Sequence, residues 1–252
     1  MRVATFNILH GRTVGDGVYP ERLRACVQQL DPDVLALQEV DLHQHRSGRI
    51  DLTQVAAEAM GAVAHRFVAA IAGTPGATWM AATGLEQPGT AAYGIALLCR
   101  YPVTDWRVVR LPRIPVRLPL FLRGPNRITM VDEEPRTAVI ARMDTPLGAL
   151  SVATAHLSFI PGSNRRQLRH LVRELQALPG PRLLIGDLNL GPAAARRWSG
   201  MRALASAHTF PGHAPQHQLD HILTDAPDLR AAGCAAPPAL LSDHRPLVVD
   251  IR

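Results

Sequence analysis

The stretch Leu183-Leu184-Ile185-Gly186-Asp187-Leu188-Asn189-Leu190 constrains this chain more than any other. Its first four residues read as a buried strand running into a turn, and at the end of that strand Asp187 and Asn189 are held between leucines. A carboxylate in such surroundings needs a cation or several hydrogen-bond donors, because an unpaired charge beside a core strand either neutralises or destabilises the fold. Gly186 suits a backbone that turns sharply where a ligand approaches, since it carries no Cβ. A plain strand-to-loop turn capped by Asp and Asn would have the same sequence. The other segments decide between the two.

Strand after strand ends in the same way. Arg2 to Leu9 reads as a strand with Asn7 as the one polar amide near its end. A loop from Gly11 to Gly17 leads to Pro20, which opens a helix carrying Leu23, Cys26, Val27 and Leu30 at helical spacing and closed by Asp31-Pro32. Val34 to Leu37 is a second apolar strand, and it stops at Gln38 and Glu39. A polar turn, Arg46-Ser47-Gly48-Arg49, precedes a helix from Leu52 to Met60, a strand from Val63 to Ala70 and a long surface loop from Gly73 to Thr90. Tyr93 to Leu98 is strand-like. Arg136 to Met143 and Ala149 to His156 bracket the turn residues 144–148, which predicts a hairpin whose second strand ends in His156.

Ser163 and Asn164 are expected to cap a helix with Leu168, Leu171, Val172 and Leu175 on one face and Arg165, Arg166, Arg169 and Arg173 on a solvated one. Beyond the central strand, Gln218 to Thr224 contains Asp220-His221, and Ser242-Asp243-His244-Arg245-Pro246 precedes a last strand, Leu247 to Ile251. Singly, each polar residue has a bland reading; a lone His156 is commonly a satisfied structural residue. Together, Asn7, Glu39, His156, Asp187, Asn189, Asp220, Asp243 and His244 nearly all fall where an apolar strand stops or starts. In a sheet sandwich such ends can share one rim. Carboxylates gathered there repel unless a divalent cation joins them, and oxygen-rich ligands suit Mg²⁺ or Mn²⁺ better than Zn²⁺.

Composition sets outer limits. With 252 residues, 47% of them hydrophobic, the chain can bury a large core, and no Ser/Gly-rich linker divides it, so residues 1–252 are read as a single domain. No leader pattern and no apolar run long enough for a membrane span stand out, which makes a cytoplasmic monomer the expectation. Cys26, Cys99 and Cys234 lack metal-ligand spacing and are expected to be buried free thiols. A net charge of +6 points to an anionic partner such as nucleic acid, phosphorylated metabolites or an anionic membrane surface. Every basic residue in the Lys+Arg count is arginine, whose planar fork grips phosphate in a bidentate way.

Thr5-Phe6-Asn7, Gln38-Glu39, Thr154-Ala155-His156, Gly186-Asp187-Leu188-Asn189, Leu219-Asp220-His221 and Ser242-Asp243-His244-Arg245-Pro246, in that order, resemble the endonuclease/exonuclease/phosphatase superfamily, also called deoxyribonuclease-I-like. The resemblance implies an α/β (α+β) fold, a four-layer αββα sandwich of two mixed sheets flanked by helices. It also implies hydrolysis of a phosphoester with a divalent metal, Mg²⁺ or Mn²⁺ by the ligand types above, and leaves the substrate open. The helical arginine face and basic balance favour a phosphodiesterase, nuclease-like, the alternatives being a phosphatase or phospholipase-like hydrolase and a catalytically silent binding module. Glu39 would be the principal metal ligand, with Asn7 and Asp243 beside it. Asp187 and Asn189 would position the attacking water and the phosphate, His244 would pair with Asp220, and His156 would donate to a phosphoryl oxygen. Arg136 falls where many relatives carry an arginine. Many relatives have asparagine after the Tyr-Gly pair, where this chain has Ile95.

The segment from Arg100 to Arg127 interleaves Arg107, Arg110, Arg113, Arg117, Arg123 and Arg127 with aliphatics and prolines, which excludes a helix over most of it. One reading is a peripheral strand and loop that caps the core. The other is a basic, partly apolar lip beside the catalytic rim, which would take nucleic acid through its arginines or make a peripheral membrane contact through Leu118-Pro119-Leu120-Phe121-Leu122.

Overall fold

A computed structural model describes residues 1–122 and 127–252. In chain order the elements are β1 (Arg2–Asn7), α1 (Pro20–Leu30), β2 (Val34–Leu42), α2 (Leu52–Met60), β3 (Ala64–Gly73), β4 (Trp79–Ala81), β5 (Ala92–Cys99), β6 (Val103–Arg110), β7 (Leu118–Leu122) and β8 (Arg127–Val131). They continue with β9 (Thr137–Thr145), β10 (Gly148–His156), α3 (Ser163–Gln176), β11 (Arg182–Asp187), α4 (Pro192–Ser199), β12 (Arg202–Ala203), β13 (Asp220–Thr224), β14 (Ala231–Ala235) and β15 (Leu247–Ile251).

Among the described residues, a seven-stranded sheet has the order β14-β15-β1-β2-β5-β3-β4 and a six-stranded sheet the order β12-β13-β11-β10-β9-β6. Both are mixed: β1 and β2 run parallel, as do β10 and β11, while their outer neighbours run antiparallel. The period-2 alternation of strand side chains sorts the core into three layers. Val3, Ala36, Leu97, Val139, Val152, Leu183 and Ile185 meet between the sheets. Their neighbours Ala4, Leu35 and Leu98 turn outward onto Leu23, Val27, Leu52 and Met60 of α1 and α2. Leu184 and Ala153 turn the other way, onto Leu168, Leu171 and Leu175 of α3. This is the expected four-layer sandwich. Strands buried on both faces must be apolar at nearly every position, which is why the runs in β1, β2 and β11 read as continuous rather than alternating.

The layering fixes where polar strand ends go. In register, Asn7 lies beside Gln38, His156 beside Asp187, and Asp187 beside Asp220. Because β13 and β15 run antiparallel to β11 and β1, their beginnings meet the ends of those strands. One rim of both sheets therefore collects all of them. A chain of buried polar contacts ties the sheets just beneath it: Thr5 Oγ1 donates to Gln38 Oε1 (3.2 Å), and Gln38 Nε2 donates to Thr154 Oγ1 (3.4 Å) across the core.

Several local expectations change. The loop from Gly73 to Thr90 contains β4, and α4 and β14 form where the sequence shows no periodicity. Ser163 and Asn164 do not cap α3; Gly162 occupies the cap position, while Ser163 Oγ donates to the buried Glu133 and Asn164 Nδ2 donates to the Asn189 carbonyl (3.0 Å). Cys26 and Cys99 are buried, but Cys234 is exposed on the edge strand β14. Ile95 packs in the core between the sheets, so its side chain is spent on the scaffold rather than on the rim.

The segment from Arg100 to Arg127 forms the edge strand β6 and then β7, which pairs with β8 in a separate two-stranded ribbon. Arg107 is paired with Glu174 (2.8 Å) and Arg113 with Asp132 (2.6 Å), so these two guanidinium groups are engaged within the protein. Arg123 and Pro125 lie outside the described residues. No helix among the described residues is long and apolar enough to cross a membrane.

Candidate active site

Gly186 makes the rim possible. Its φ is +141°, and a Cβ there would stand 2.2 Å from the Ala155 carbonyl oxygen, so only glycine lets β11 pass that close to β10 and deliver Asp187. Glu39 arrives by another irregularity. It sits at a bulge between Gln38 and Val40 with φ +54°, which turns its carboxylate toward the rim instead of into the sheet pattern. Asn189 also takes a left-handed conformation, φ +48°, and its backbone N–H donates to Asp187 Oδ1 (3.0 Å).

Asp187, fully buried, is the hub. Asn7 Nδ2 donates to both Asp187 Oδ2 (3.1 Å) and Glu39 Oε1 (3.1 Å), while Asn7 Oδ1 accepts from the Leu9 N–H (3.1 Å). The Leu9 contact settles the orientation of the amide, since a backbone N–H requires an acceptor. Asn7 thus holds the two carboxylates on either side of one N–H₂ group. From the opposite direction His156 Nε2 stands 3.5 Å and His244 Nε2 3.8 Å from Asp187 Oδ2.

The two histidines are held in different states. Arg136 Nη1 donates to His156 Nδ1 (3.0 Å). Burial, with the charges of Arg136 and His244, drives the His156 pKa well below its ordinary value, so the ring is neutral and its proton sits on Nε2. His244 Nδ1 instead donates to Asp220 Oδ2 (2.9 Å). Burial works against its charge, but the hydrogen bond and the Asp220 carboxylate outweigh burial and raise its pKa to about 9. Asp220 is itself fully buried, and its Oδ1 has no partner among the described residues, so His244 is the main outlet for its charge. Burial and the charge of Asp220 raise Asp187 to about 7. Desolvation likewise raises Glu39.

These groups open on a cleft of about 450 Å³ whose walls include Asn7, Glu39, His156, Asp187, Asn189 and His244. Asp220 lies behind His244 and does not line it. Asn189 faces the cleft while its Nδ2 is tied to the Leu157 carbonyl (2.9 Å). Asp243 stands at the edge, close enough for its charge to raise the pKa of Glu39. Its backbone carbonyl accepts from Gly212 N–H (2.6 Å). All eight residues marked by the sequence are therefore gathered at one rim.

Other residues join them without a sequence signal of their own. Arg46 belongs to a polar turn in the sequence, yet it lines the cleft, held by the fully buried Asp41 (2.7 Å) and packed over the Tyr93 ring (5.4 Å). Tyr93, Phe159 and Glu134 line it as well. Only a carboxylate inside an apolar strand, five residues before Arg46, could have signalled that pairing.

The donor set fits a hard divalent cation. Glu39 offers a carboxylate oxygen close to the charge of Asp243, and a cation held there would offset the desolvation and the like charge that raise the Glu39 pKa. Asp187, Asp220 and His244 also place potential ligand atoms within 4.8 Å of one another. There, however, His244 Nδ1 carries the proton that Asp220 receives, which makes the trio a proton-handling unit rather than a ligand cage.

A family model for the endonuclease/exonuclease/phosphatase family matches residues 4–244. The chain belongs to this family. Solved structures of similar fold include an endonuclease/exonuclease/phosphatase from Beutenbergia cavernae, with 21% identity and a TM-score of 0.72, covering 100% of this chain and 71% of that one. The human Nocturnin catalytic domain with bound sulfate has 18% identity and a TM-score of 0.66, covering 100% of this chain and 93% of that one. A mannosyl-6-phosphatase from Bacteroides thetaiotaomicron has 14% identity and a TM-score of 0.64, covering 100% of this chain and 99% of that one. No curated protein matches the chain by sequence. At identities of 14–21%, these structural likenesses bear on the fold alone.

Proposed function

We propose that this protein is a divalent-metal-dependent phosphoesterase that hydrolyses phosphodiester bonds, with a nuclease-like substrate. The observation that supports this most is Asp187 held between a charged His244–Asp220 pair and a neutral His156, with Glu39 across the Asn7 amide.

Each group has a separate task. Asp187, raised to about 7, is near the pKa at which a general base serves best at neutral pH, and it accepts the proton of the attacking water. His244, at about 9, is already charged and acts as donor: its Nε2 proton faces a phosphoryl oxygen on which negative charge builds. His156 offers its neutral Nε2–H to a second such oxygen. Arg46, on the cleft wall with Nε and Nη2 taken by Asp41, has Nη1 left to donate toward a phosphate. Glu39, with Asp243 beside it, would hold Mg²⁺ or Mn²⁺, whose contribution is to neutralise phosphoryl charge. Asn7, expected from the sequence to be a ligand, turns its N–H₂ toward Glu39 and Asp187 and would orient these carboxylates instead.

The test is a substrate panel of single- and double-stranded DNA, RNA, bis(4-nitrophenyl) phosphate, phosphomonoesters and phospholipids, with Mg²⁺ or Mn²⁺ and with excess EDTA. Metal-dependent cleavage of diesters supports the reading. Cleavage of monoesters alone replaces it with a phosphatase, and full turnover in EDTA removes the metal. Glu39→Gln is expected to weaken metal binding by calorimetry and to leave the melting temperature near wild type.

A further inference from the structure

The outer face of α3 and α4 carries a concentration of positive charge that the catalytic rim does not use. Arg165, Arg166, Arg169 and Arg173 are exposed along α3, and Arg196 and Arg197 are exposed on the neighbouring α4. Among the described residues, α3 has one carboxylate, Glu174, and it is engaged by Arg107 (2.8 Å); α4 has none. No carboxylate of the described residues lies within ion-pair distance of Arg166, Arg169 or Arg173. These are not dispersed charges. Arg165, Arg169 and Arg197 converge on the Trp198 ring, their guanidinium carbons 5.8, 5.1 and 5.7 Å from its centroid. A separate concavity of about 460 Å³ beside them is walled by Arg110, Arg166, Arg169, His170 and Arg173 with Leu111 and Pro112.

Like charges gathered without counter-charge repel one another, and the cost falls when a polyanion arrives and its counterions leave. The indole fixes part of the array, so less side-chain freedom is lost on binding. The face also has a direction. The N-terminal turn of α3 is tied to the catalytic rim through Asn164 Nδ2 and the Asn189 carbonyl (3.0 Å), and from there the helix runs away for about 21 Å at 1.5 Å per residue over the 14 residues from Ser163 to Gln176.

We propose that this face is an exosite for the phosphate backbone of a nucleic-acid strand, separate from the catalytic cleft and leading to it. The choice of partner rests on the reading of the cleft as a diester-hydrolysing centre. Its composition agrees: the exposed residues of α3 offer no large apolar side chain to insert into a lipid surface. The one aromatic of the face is already covered by arginines, so the face grips phosphates and does not stack bases. Binding by this face is therefore independent of sequence.

The experiment is fluorescence anisotropy with a labelled single-stranded oligonucleotide in EDTA, over a salt series, comparing wild type with the triple variant Arg166→Gln/Arg169→Gln/Arg173→Gln. Turnover of bis(4-nitrophenyl) phosphate with metal and the melting temperature serve as controls. The triple variant is expected to lose at least tenfold in affinity at low salt and to flatten the slope of log affinity against log salt by about 2, at roughly 0.7 per lost phosphate contact. Turnover of the small diester and the melting temperature stay at wild-type values. Unchanged affinity and slope in the variant overturn the exosite, whatever the cleft hydrolyses. Co-sedimentation of wild type with phosphatidylserine vesicles, without salt-dependent oligonucleotide binding, overturns it in favour of a membrane surface. Binding through this face by a protein that cleaves no nucleic acid leaves the exosite standing and removes the nuclease reading of the cleft.

Discussion

Arg136 Nη1 donates to His156 Nδ1 over 3.0 Å, and because a guanidinium cannot accept a hydrogen bond, this contact leaves the ring proton on Nε2. Arg136 is nearly buried, and its Nη2 lies 3.3 Å from Glu134 Oε2, which limits its freedom to swing away. It positions the histidine and also forms part of the cleft wall itself.

Arg136→Met removes both the donor and the charge. Turnover is expected to fall about 100-fold, within the span of a misdirected acid/base group, with a smaller change in KM. The diagnostic signal is elsewhere: ¹⁵N NMR of the His156 ring should show the Nε2–H form in wild type, and a mixed tautomer with a pKa nearer the ordinary value in the variant. A purely structural role would lower the melting temperature and leave the tautomer alone.

Asp220 and His244 are expected to behave as one unit. Each alanine substitution costs about 10³-fold or more in turnover, and the double substitution costs far less than the product of the two. The pH profile provides the sign. Asp187 must lose its proton to act as base, so activity rises with pH through about 7; His244 must keep its proton, so activity falls as pH passes about 9. These limbs belong to the coupled cluster, and a bound cation moves the lower one further to acid. Asp220→Asn removes the main support for the charged ring and should draw the alkaline limb down by a unit or more. An unmoved alkaline limb would show that His244 is not the group that titrates there.

Gly186→Ala tests the local geometry. The added methyl meets the Ala155 carbonyl oxygen at 2.2 Å in a backbone conformation that L-residues rarely adopt, and neither strand can yield without disturbing the core between the sheets. The expected loss is about 3 kcal/mol or more of stability, read by denaturant titration, with activity lost in the folded fraction because Asp187 is displaced. A stable variant with wild-type turnover would mean that the strands tolerate a wider separation.

Much of this arrangement is legible in the sequence, and for one reason: a polar residue that ends an apolar strand is costly unless a partner or a ligand meets it there. Asn7, His156, Asp187, Asp220 and His244 all stand out in that way, and the layered sheets bring such ends to a common rim. Glu39 stands out too, although the bulge that aims it does not, since a left-handed φ at a glutamate leaves no trace in residue type. Arg46 and Tyr93 are invisible as site residues because their roles come from tertiary pairing, with Asp41 and with each other. Helix α4 and strand β14 are short and lie at the periphery, where period-based reading has too few residues to register a pattern. The apolar character of Cys234 argues for the interior, but the edge strand that carries it is exposed throughout.

The central claim is that the Asp187 rim hydrolyses phosphodiesters, and Asp187→Asn addresses it most directly. Asparagine keeps the volume and one acceptor oxygen, so it retains one of the two hydrogen bonds that Asp187 accepts from Asn7 Nδ2 and the Asn189 N–H, and it takes no proton from water. The measurement is turnover of bis(4-nitrophenyl) phosphate and of labelled DNA and RNA with Mg²⁺ or Mn²⁺, alongside the melting temperature of the same preparations. The account predicts metal-dependent hydrolysis by wild type, a loss of about 10³-fold or more in the variant, and a melting temperature close to wild type, the lost hydrogen bond being offset by the removal of a buried charge. Wild-type turnover in Asp187→Asn, or no diester hydrolysis by the wild-type protein under these conditions, would contradict it.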